Sequence, residues 1–269
     1  MSTEIHPVLQ HLLARRGKTV PVQDGRKIAL VLYGGAMAGI VGGGAVQALH
    51  ELGLDQAFDH IFANSAGFCN ASYFLANQVR LGITIYSENL TSKRFINLWR
   101  FWKMVDVDYA VEVMRNVKPL KVEHILASAT KLHVSLYNQT TKKDAFLEVH
   151  DHPAHSYFDI VHAATAIHFF HPGATQIDSQ RYMDTKIGQE INRLQYARAL
   201  GCTDILIIYN RKENTPAKDL NQKDTFEIRP DRDWNISQFE RNPTKLLAAC
   251  RGMGHKVKVT FGLDKPITI

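Results

Sequence analysis

The chain has 269 residues, 45% of them apolar and 22% charged, which suits one large domain or two small ones and argues against a disordered chain or a fibre. Its net charge of +6 and pI near 9.2 come from basic residues in short scattered groups, such as Arg15-Arg16 and Lys142-Lys143; no nucleic-acid motif accompanies them, so a solvated surface is expected and nucleic acid is not. No apolar run is long enough to span a membrane, the N-terminus lacks the apolar centre of a secretory signal, and three distant cysteines (Cys69, Cys202, Cys250) suggest reduced thiols in the cytoplasm, leaving peripheral membrane association and signal-independent export open.

Residues 5–16 read as an amphipathic helix, with Ile5, Val8, Leu9, Leu12 and Leu13 on one side, able to lie on the core or on a lipid surface. "KIALVLYGG" (27–35) is a continuous apolar run ending in glycines, as a buried parallel strand followed by a tight loop would be. "IVGGGAVQALHELGL" continues as a helix that turns Val46, Leu49 and Leu52 to the sheet and stops at Gly53. A short strand at 60–63 and a helix from Phe68 to Val79 follow. Strand, Gly loop, helix, strand, turn, helix is the alternation of a parallel α/β domain. The aromatic stretch 94–114 is helical or irregular, and Phe95, Trp99, Phe101 and Trp102 can serve as core or as the lining of an apolar pocket. "KLHVSLYNQTTKKDAFLEVHDH" reads as a hairpin, "YFDIVHAATAIHFF" as a helix, and "TQIDSQRYMDTKI" as a short hairpin ending in a loop. A helix at 190–200, the buried strand "TDILIIYN", a helix around 235–251 and a strand at "HKVKVTF" complete the chain. The boundaries suggested are a helical segment at 1–25, a main domain at 26–215 and an extension at 216–269 packed on it.

Chemistry concentrates at "HIFANSAGFCNAS" (60–72), where Ser65 falls at a strand-to-helix turn between the small residues Ala63, Asn64, Ala66 and Gly67. A serine at such a tip is either a nucleophile elbow or a helix cap. The Gly34–Gly39 loop presents backbone N–H groups to a negative charge. Nucleotide binding fits it poorly, because neither the phosphate-loop pattern nor G-x-G-x-x-G is complete. An oxyanion hole is the other use, with Gly34, Gly35, Ala36 and Met37 as candidates, and in a parallel sheet both loops leave the carboxyl ends of their strands. The base is the open question. Six histidines lie within 150–171, and His168-x-x-His171 has a ligand-like gap, but none sits in a catalytic context or a metal pattern. Only two strands precede Ser65, fewer than in an ordinary α/β-hydrolase, and Asp184, in a loop after a short strand, is the remaining candidate.

Together these residues resemble the patatin-like phospholipases. The family's Gly-rich loop, G-x-S-x-G elbow and D-G-[GA] motif are matched by Gly34-Gly35-Ala36-Met37-Ala38-Gly39, Ala63-Asn64-Ser65-Ala66-Gly67 and Asp184-Thr185-Lys186, with 119 residues between serine and aspartate. The resemblance covers roughly residues 27–210. It implies a three-layer α/β fold with a central, mostly parallel sheet flanked by helices, and a Ser65–Asp184 dyad acting on phospholipid or other fatty acyl esters without metal or cofactor. An anionic membrane surface is the partner that such a substrate and the positive charge suggest. The departures are Ala63 and Ala36 for glycine, Ala38 for a basic residue, Thr185-Lys186 for two small residues, where Thr185 would be strained in a left-handed conformation, and His168 for proline. They leave a second reading, a degenerate relative that binds lipid or a protein without turnover. A phosphate-binding α/β protein is the third.

Overall fold

The computed structural model describes residues 5–97, 99–100, 104–166, 173–185, 193–212, 223–231, 234 and 236–263. Helix α1 (Pro7–Ala14) leads to strand β1 (Ile28–Leu32), helix α2 (Gly39–Glu51), strand β2 (His60–Ala63) and helix α3 (Ala66–Leu75). Helix α4 (Val79–Thr84) widens into a π turn at Ile85–Asn89, as α5 (Val107–Glu112) does at Val113–Val117; α6 (Val122–Leu126) follows. The hairpin β3 (Lys131–Asn138) and β4 (Lys143–Glu148), helix α7 (Tyr157–Thr165), and the hairpin β5 (Thr175–Ile177) and β6 (Gln180–Asp184) come next. Helix α8 (Arg193–Ala199), strands β7 (Asp204–Ile208) and β8 (Thr225–Ile228), and helix α9 (Pro243–Thr260) end the described fold.

The strands form one sheet in the order β5-β6-β3-β2-β1-β7-β8, with β4 also paired to β3. Strands β3, β2, β1, β7 and β8 are parallel to one another, and the pairs β3–β4, β3–β6 and β5–β6 are antiparallel. Every residue of β1 is buried: Ile28, Leu30 and Leu32 enter the main core, and Ala29 and Val31 a smaller core on the other face. A strand covered on both faces cannot alternate, hence its unbroken apolar run.

One register relation creates the site. Strand β4 takes residues 133–138 along one edge of β3. Strands β2 and β6 therefore share the other edge in succession, with Ala63 opposite Val134 and Asp184 opposite Leu136. Two residues past Ala63 the chain reaches Ser65, level with Asp184. Residues 119 positions apart thus meet because β6 resumes the ladder where β2 stops.

Several expectations are corrected, but the α1 segment takes the commoner of its two open placements, on the core: Val8, Leu9 and Leu12 are buried, and the fully buried Arg15 binds Asp24 (2.7 and 2.8 Å) and Asp59 (2.6 Å). A charge buried that deeply is tolerable only because every face of the guanidinium is paired. The helix expected to run to Val79 stops at Leu75, and Asn77 turns the chain at φ +57° before α4. "HKVKVTF" is not a strand but the last turns of α9, where Leu246, Ala249, Cys250, Met253 and Val257 are buried at helical spacing, and that period overrides the local alternation. Helix α9 starts at Pro243 with Asn242 capping it, later than expected, and packs against α2 at Gly44, where a side chain would overlap the Cys250 carbonyl. Strand β8 was not anticipated.

Candidate active site

The turn from β2 into α3 holds Ser65 at φ +49° and ψ −132°, a conformation that non-glycine residues avoid and that persists only where the surroundings impose it. They do so by crowding. A Cβ on Gly67 would lie 2.6 Å from the Leu32 carbonyl oxygen and 2.7 Å from that of Tyr33, so α3 can approach the end of β1 only with glycine there. A Cβ on Gly34 would lie 2.6 Å from Ser65 Cβ, and one on Gly39 would lie 2.5 Å from Ala66 Cβ. Ala63 and Ala66 are both buried in this turn. Ser65 does not cap α3: its side chain makes no hydrogen bond to the helix N–H groups. It interacts instead with Asp184, whose ionised form it favours.

Asp184 ends β6, its N–H donating to the Ala166 carbonyl at 3.3 Å. Its Oδ1 accepts the Thr185 N–H at 2.8 Å and the Thr185 hydroxyl at 3.4 Å. The carboxyl group is buried, and burial pushes its pKa up to about 7; the Ser65 hydroxyl, the hydrogen bonds from Thr185 and the positive charge of Arg193 oppose the rise without cancelling it. Thr185 is not among the residues with positive φ, so the strain expected there does not arise, and its hydroxyl adds a donor that glycine would not. Lys186 and His168 lie outside the described residues, as does His171.

The Gly loop has a division of labour. The Gly34 N–H donates to Asn64 Oδ1 (3.1 Å) and the Met37 N–H to the Gln238 carbonyl (3.2 Å), so both amides are engaged. Gly35 (φ +146°) and Ala36 (φ +49°) carry the turn, and their N–H groups make no hydrogen bond to backbone among the described residues. Asn210, buried just past β7, donates through Nδ2 to the carbonyls of Gly34 (3.0 Å) and Tyr33. Because C=O and N–H point oppositely across a trans peptide, holding the Gly34 oxygen toward Asn210 turns the Gly35 N–H away from it. A second asparagine, Asn70, donates to the Gly39 carbonyl (2.7 Å) and accepts from the Tyr86 hydroxyl (3.1 Å), tying α3 to the start of α2.

An apolar cavity adjoins these groups, lined by Ala36 and Ser65 at one end and by Cys69, Tyr73, Val111 and Met114 further in. Phe95 also lines it, whereas Trp99 is 85% exposed; Phe101 and Trp102 lie outside the described residues. Burial pushes the Cys69 thiol up to about 12, which makes it a wall of the cavity rather than a nucleophile. Among the histidines, His162 is held by Thr175 (2.6 Å) and Asp108 (2.9 Å), and no group of three metal-binding side chains forms among the described residues.

Sequence reasoning missed Asn210, Asn70 and Arg193. Asn210 had a signal, since it follows the buried strand "TDILIIY" at the carboxyl end of the sheet, where ligand-facing residues gather. Arg193 had none: its guanidinium is buried against the Tyr33 ring (4.6 Å) and donates to Ser135 Oγ (3.4 Å), contacts fixed only by the tertiary fold.

An uncharacterised Escherichia coli K12 protein, YjjU, is 27% identical over 195 residues, 70% of this chain, and the chain spans about half (53%) of that relative's length. The crystal structure of VipD from Legionella pneumophila overlays with a TM-score of 0.57 at 11% identity, over 88% of this chain and 67% of that one, and so shares the fold. The ExoU–SpcU complex of Pseudomonas aeruginosa overlays at 0.40 with 11% identity, over 88% of this chain and 51% of that one. The patatin-like phospholipase family model matches residues 30–189, well over half of the chain and including both Ser65 and Asp184, and the protein therefore belongs to the patatin-like phospholipase family.

Proposed function

We propose that the protein is a lipid acyl hydrolase, of phospholipase A or carboxylesterase type, with Ser65 as nucleophile and Asp184 as general base. The observation that carries this reading is a strained serine brought level with a buried carboxylate whose pKa lies near 7, at the end of an apolar cavity. A carboxylate of ordinary acidity accepts a proton poorly at neutral pH, and the burial of Asp184 removes that mismatch.

Asp184 takes the Ser65 proton as Oγ attacks the ester carbonyl, and the Gly35 and Ala36 N–H groups receive the developing oxyanion. The tetrahedral intermediate collapses, Asp184 returns the proton to the leaving alcohol or lysolipid, and the acyl group stays on Ser65. Water then gives a proton to Asp184 and attacks the acyl-enzyme, and Asp184 hands that proton back to Oγ as the fatty acid leaves. Residues 26–215 hold every group named in these steps, with 1–25 and 216–269 as supporting segments.

Trp99 supports entry from a lipid surface. It projects from a loop closed by the Ile96–Val105 bridge, and Phe95 and Val105 at the base of that loop line the cavity. An exposed tryptophan of this kind suits the membrane–water interface. No described helix is long and apolar enough to cross a membrane.

A fluorophosphonate probe with adduct mapping by mass spectrometry tests the dyad. An adduct on Ser65, slowed at least a hundredfold in Asp184→Asn, is the expected result. Lipid co-sedimentation with neither adduct nor fatty acid release would favour the degenerate reading, and thermal stabilisation by nucleotides would favour the phosphate-binding one.

A further inference from the structure

Resting on that reading of Ser65, we propose that the cavity measures the acyl chain, with Tyr73 as its floor and saturated chains of about eight to ten carbons as the preferred length. Ser65, Cys69 and Tyr73 lie four residues apart at the start of α3 and along it, and all three line the cavity. Eight residues at 1.5 Å each span about 12 Å. The opposite wall is a second stripe, Val107, Val111 and Met114, on α5 and its π turn.

The two stripes run in the same direction. At the inner end the Tyr73 hydroxyl donates to the Lys118 carbonyl (2.6 Å), just beyond that turn. At the outer end Asp108 pairs with His162 of α7 (2.9 Å), and Ala166, at the end of that helix, accepts the Asp184 N–H (3.3 Å). Helix α7 runs the opposite way, since Tyr157 at its start donates to Ser72 Oγ (2.6 Å), beside Tyr73. The reacting groups therefore sit at one end of the corridor and Tyr73 at the other.

The floor is fixed. Tyr73 is 3% exposed, its hydroxyl is tethered, and a Cβ on Gly82 would lie 2.6 Å from its ring, so the ring lies directly on the α4 backbone and has no room to swing outward. An extended chain advances about 1.25 Å per carbon, the projection of a C–C bond near 1.5 Å, so about ten carbons fill the corridor. Each methylene buried is worth about fourfold in affinity, which makes the preference rise steeply up to that length. Carbons beyond it must fold back on the chain or push the ester carbonyl away from Ser65, and either lowers affinity and turnover.

The test is a series of p-nitrophenyl esters from four to sixteen carbons, together with binding of the matching free fatty acids to Ser65→Ala protein. Turnover and affinity should both peak at about eight to ten carbons and fall at least tenfold by sixteen. Tyr73→Ala should move the peak out by four carbons or more. Cys69→Leu, which narrows the corridor halfway down, should move it to shorter chains, so the proposal stays testable if Tyr73→Ala does not fold. A flat profile from ten to sixteen carbons, or peaks unmoved by either substitution, would overturn it while leaving the hydrolase intact. Binding that peaks and shifts as described, without turnover at any length, would uphold the measuring corridor and sink the dyad.

Discussion

Replacing Asp184 by Asn should abolish turnover and at the same time stabilise the fold. The carboxyl pKa is 3.8 in a solvated chain and about 7 in place, a rise of about three units, worth about 4 kcal/mol at 1.36 kcal/mol per unit. The sign follows from proton counts. Below pH 3.8 the group is protonated both folded and unfolded and contributes nothing. Between 3.8 and about 7 the unfolded chain ionises while the folded one keeps its proton, so stability falls as pH rises, and above about 7 the whole penalty is present. An Asn at 184 carries no charge to desolvate, can accept the Thr185 N–H as Oδ1 does now (2.8 Å), and can donate to Ser65 Oγ. Allowing for the amide's own desolvation, a gain of about 2–4 kcal/mol is expected at pH 8, or roughly 5–10 °C in Tm. Thermal melts of both proteins at pH 8 and pH 4 measure it. His133, whose pKa burial lowers to about 3, destabilises both proteins equally in acid and cancels in the difference. A Tm gain at pH 8 that largely disappears at pH 4 is the expected result. Equal melts at pH 8, or a gain unchanged at pH 4, would refute the claim that Asp184 is an ionised carboxylate held against its solvation.

Three further outcomes follow from the site. In wild-type protein, kcat/KM for a soluble ester should fall tenfold per pH unit below about 7, as Asp184 takes up its proton; a plateau extending down to pH 5 in steady-state assays would remove it as the base. Asn210→Leu releases the Gly34 and Tyr33 carbonyls and should lower kcat about 10–100-fold with KM changed less than threefold, because the Gly35 N–H is needed where charge develops; a rise in KM alone in the same kinetics would contradict this. Trp99→Ser should reduce hydrolysis of vesicle-borne phospholipid about tenfold and leave soluble short-chain esters unaffected, and parallel loss on both substrates would show that the residue acts on the cavity instead.

What the sequence made legible follows a physical division. The strands β1, β2 and β7 are covered on both faces, so burial is written locally as unbroken apolar runs, and the small residues at 63–67 record a crowded turn. Strand β8 is only half buried and reads "TFEI", too mixed to declare itself. The end of α9 reads as a strand over seven residues and as a helix only when its period is followed back to Leu246. Ser65 and Asp184 could be singled out as candidates because each stands at the end of a legible strand, in the order and spacing that the family resemblance asks for. Their supports could not, because nothing near Arg193 or Asn70 in the chain marks a residue whose partner is 31 or more positions away.

The drift in the Gly loop can be put to the same use. Ala36 stands where the family has glycine and adopts φ +49°, a left-handed conformation that costs an L-residue about 1–2 kcal/mol. Ala36→Gly removes that strain but frees the unfolded chain, which returns about 0.4–1 kcal/mol. The net gain is therefore about 0.5–1 kcal/mol, visible as a Tm rise of a few degrees. The effect on turnover separates two accounts of the alanine. If the Ala36 methyl only lines the cavity wall, kcat holds and KM for medium-chain esters rises with the lost contact. If it reshapes the loop, as a degenerate relative would require, the glycine substitution should raise kcat tenfold or more. The loop carbonyl is already held by Asn210 at 3.0 Å, and the Gly34 and Met37 amides are already engaged, so the peptide planes that matter are set by groups other than residue 36. An unchanged kcat in Ala36→Gly is the expected outcome, and a large increase would show that the alanine, and not the asparagine, governs the loop.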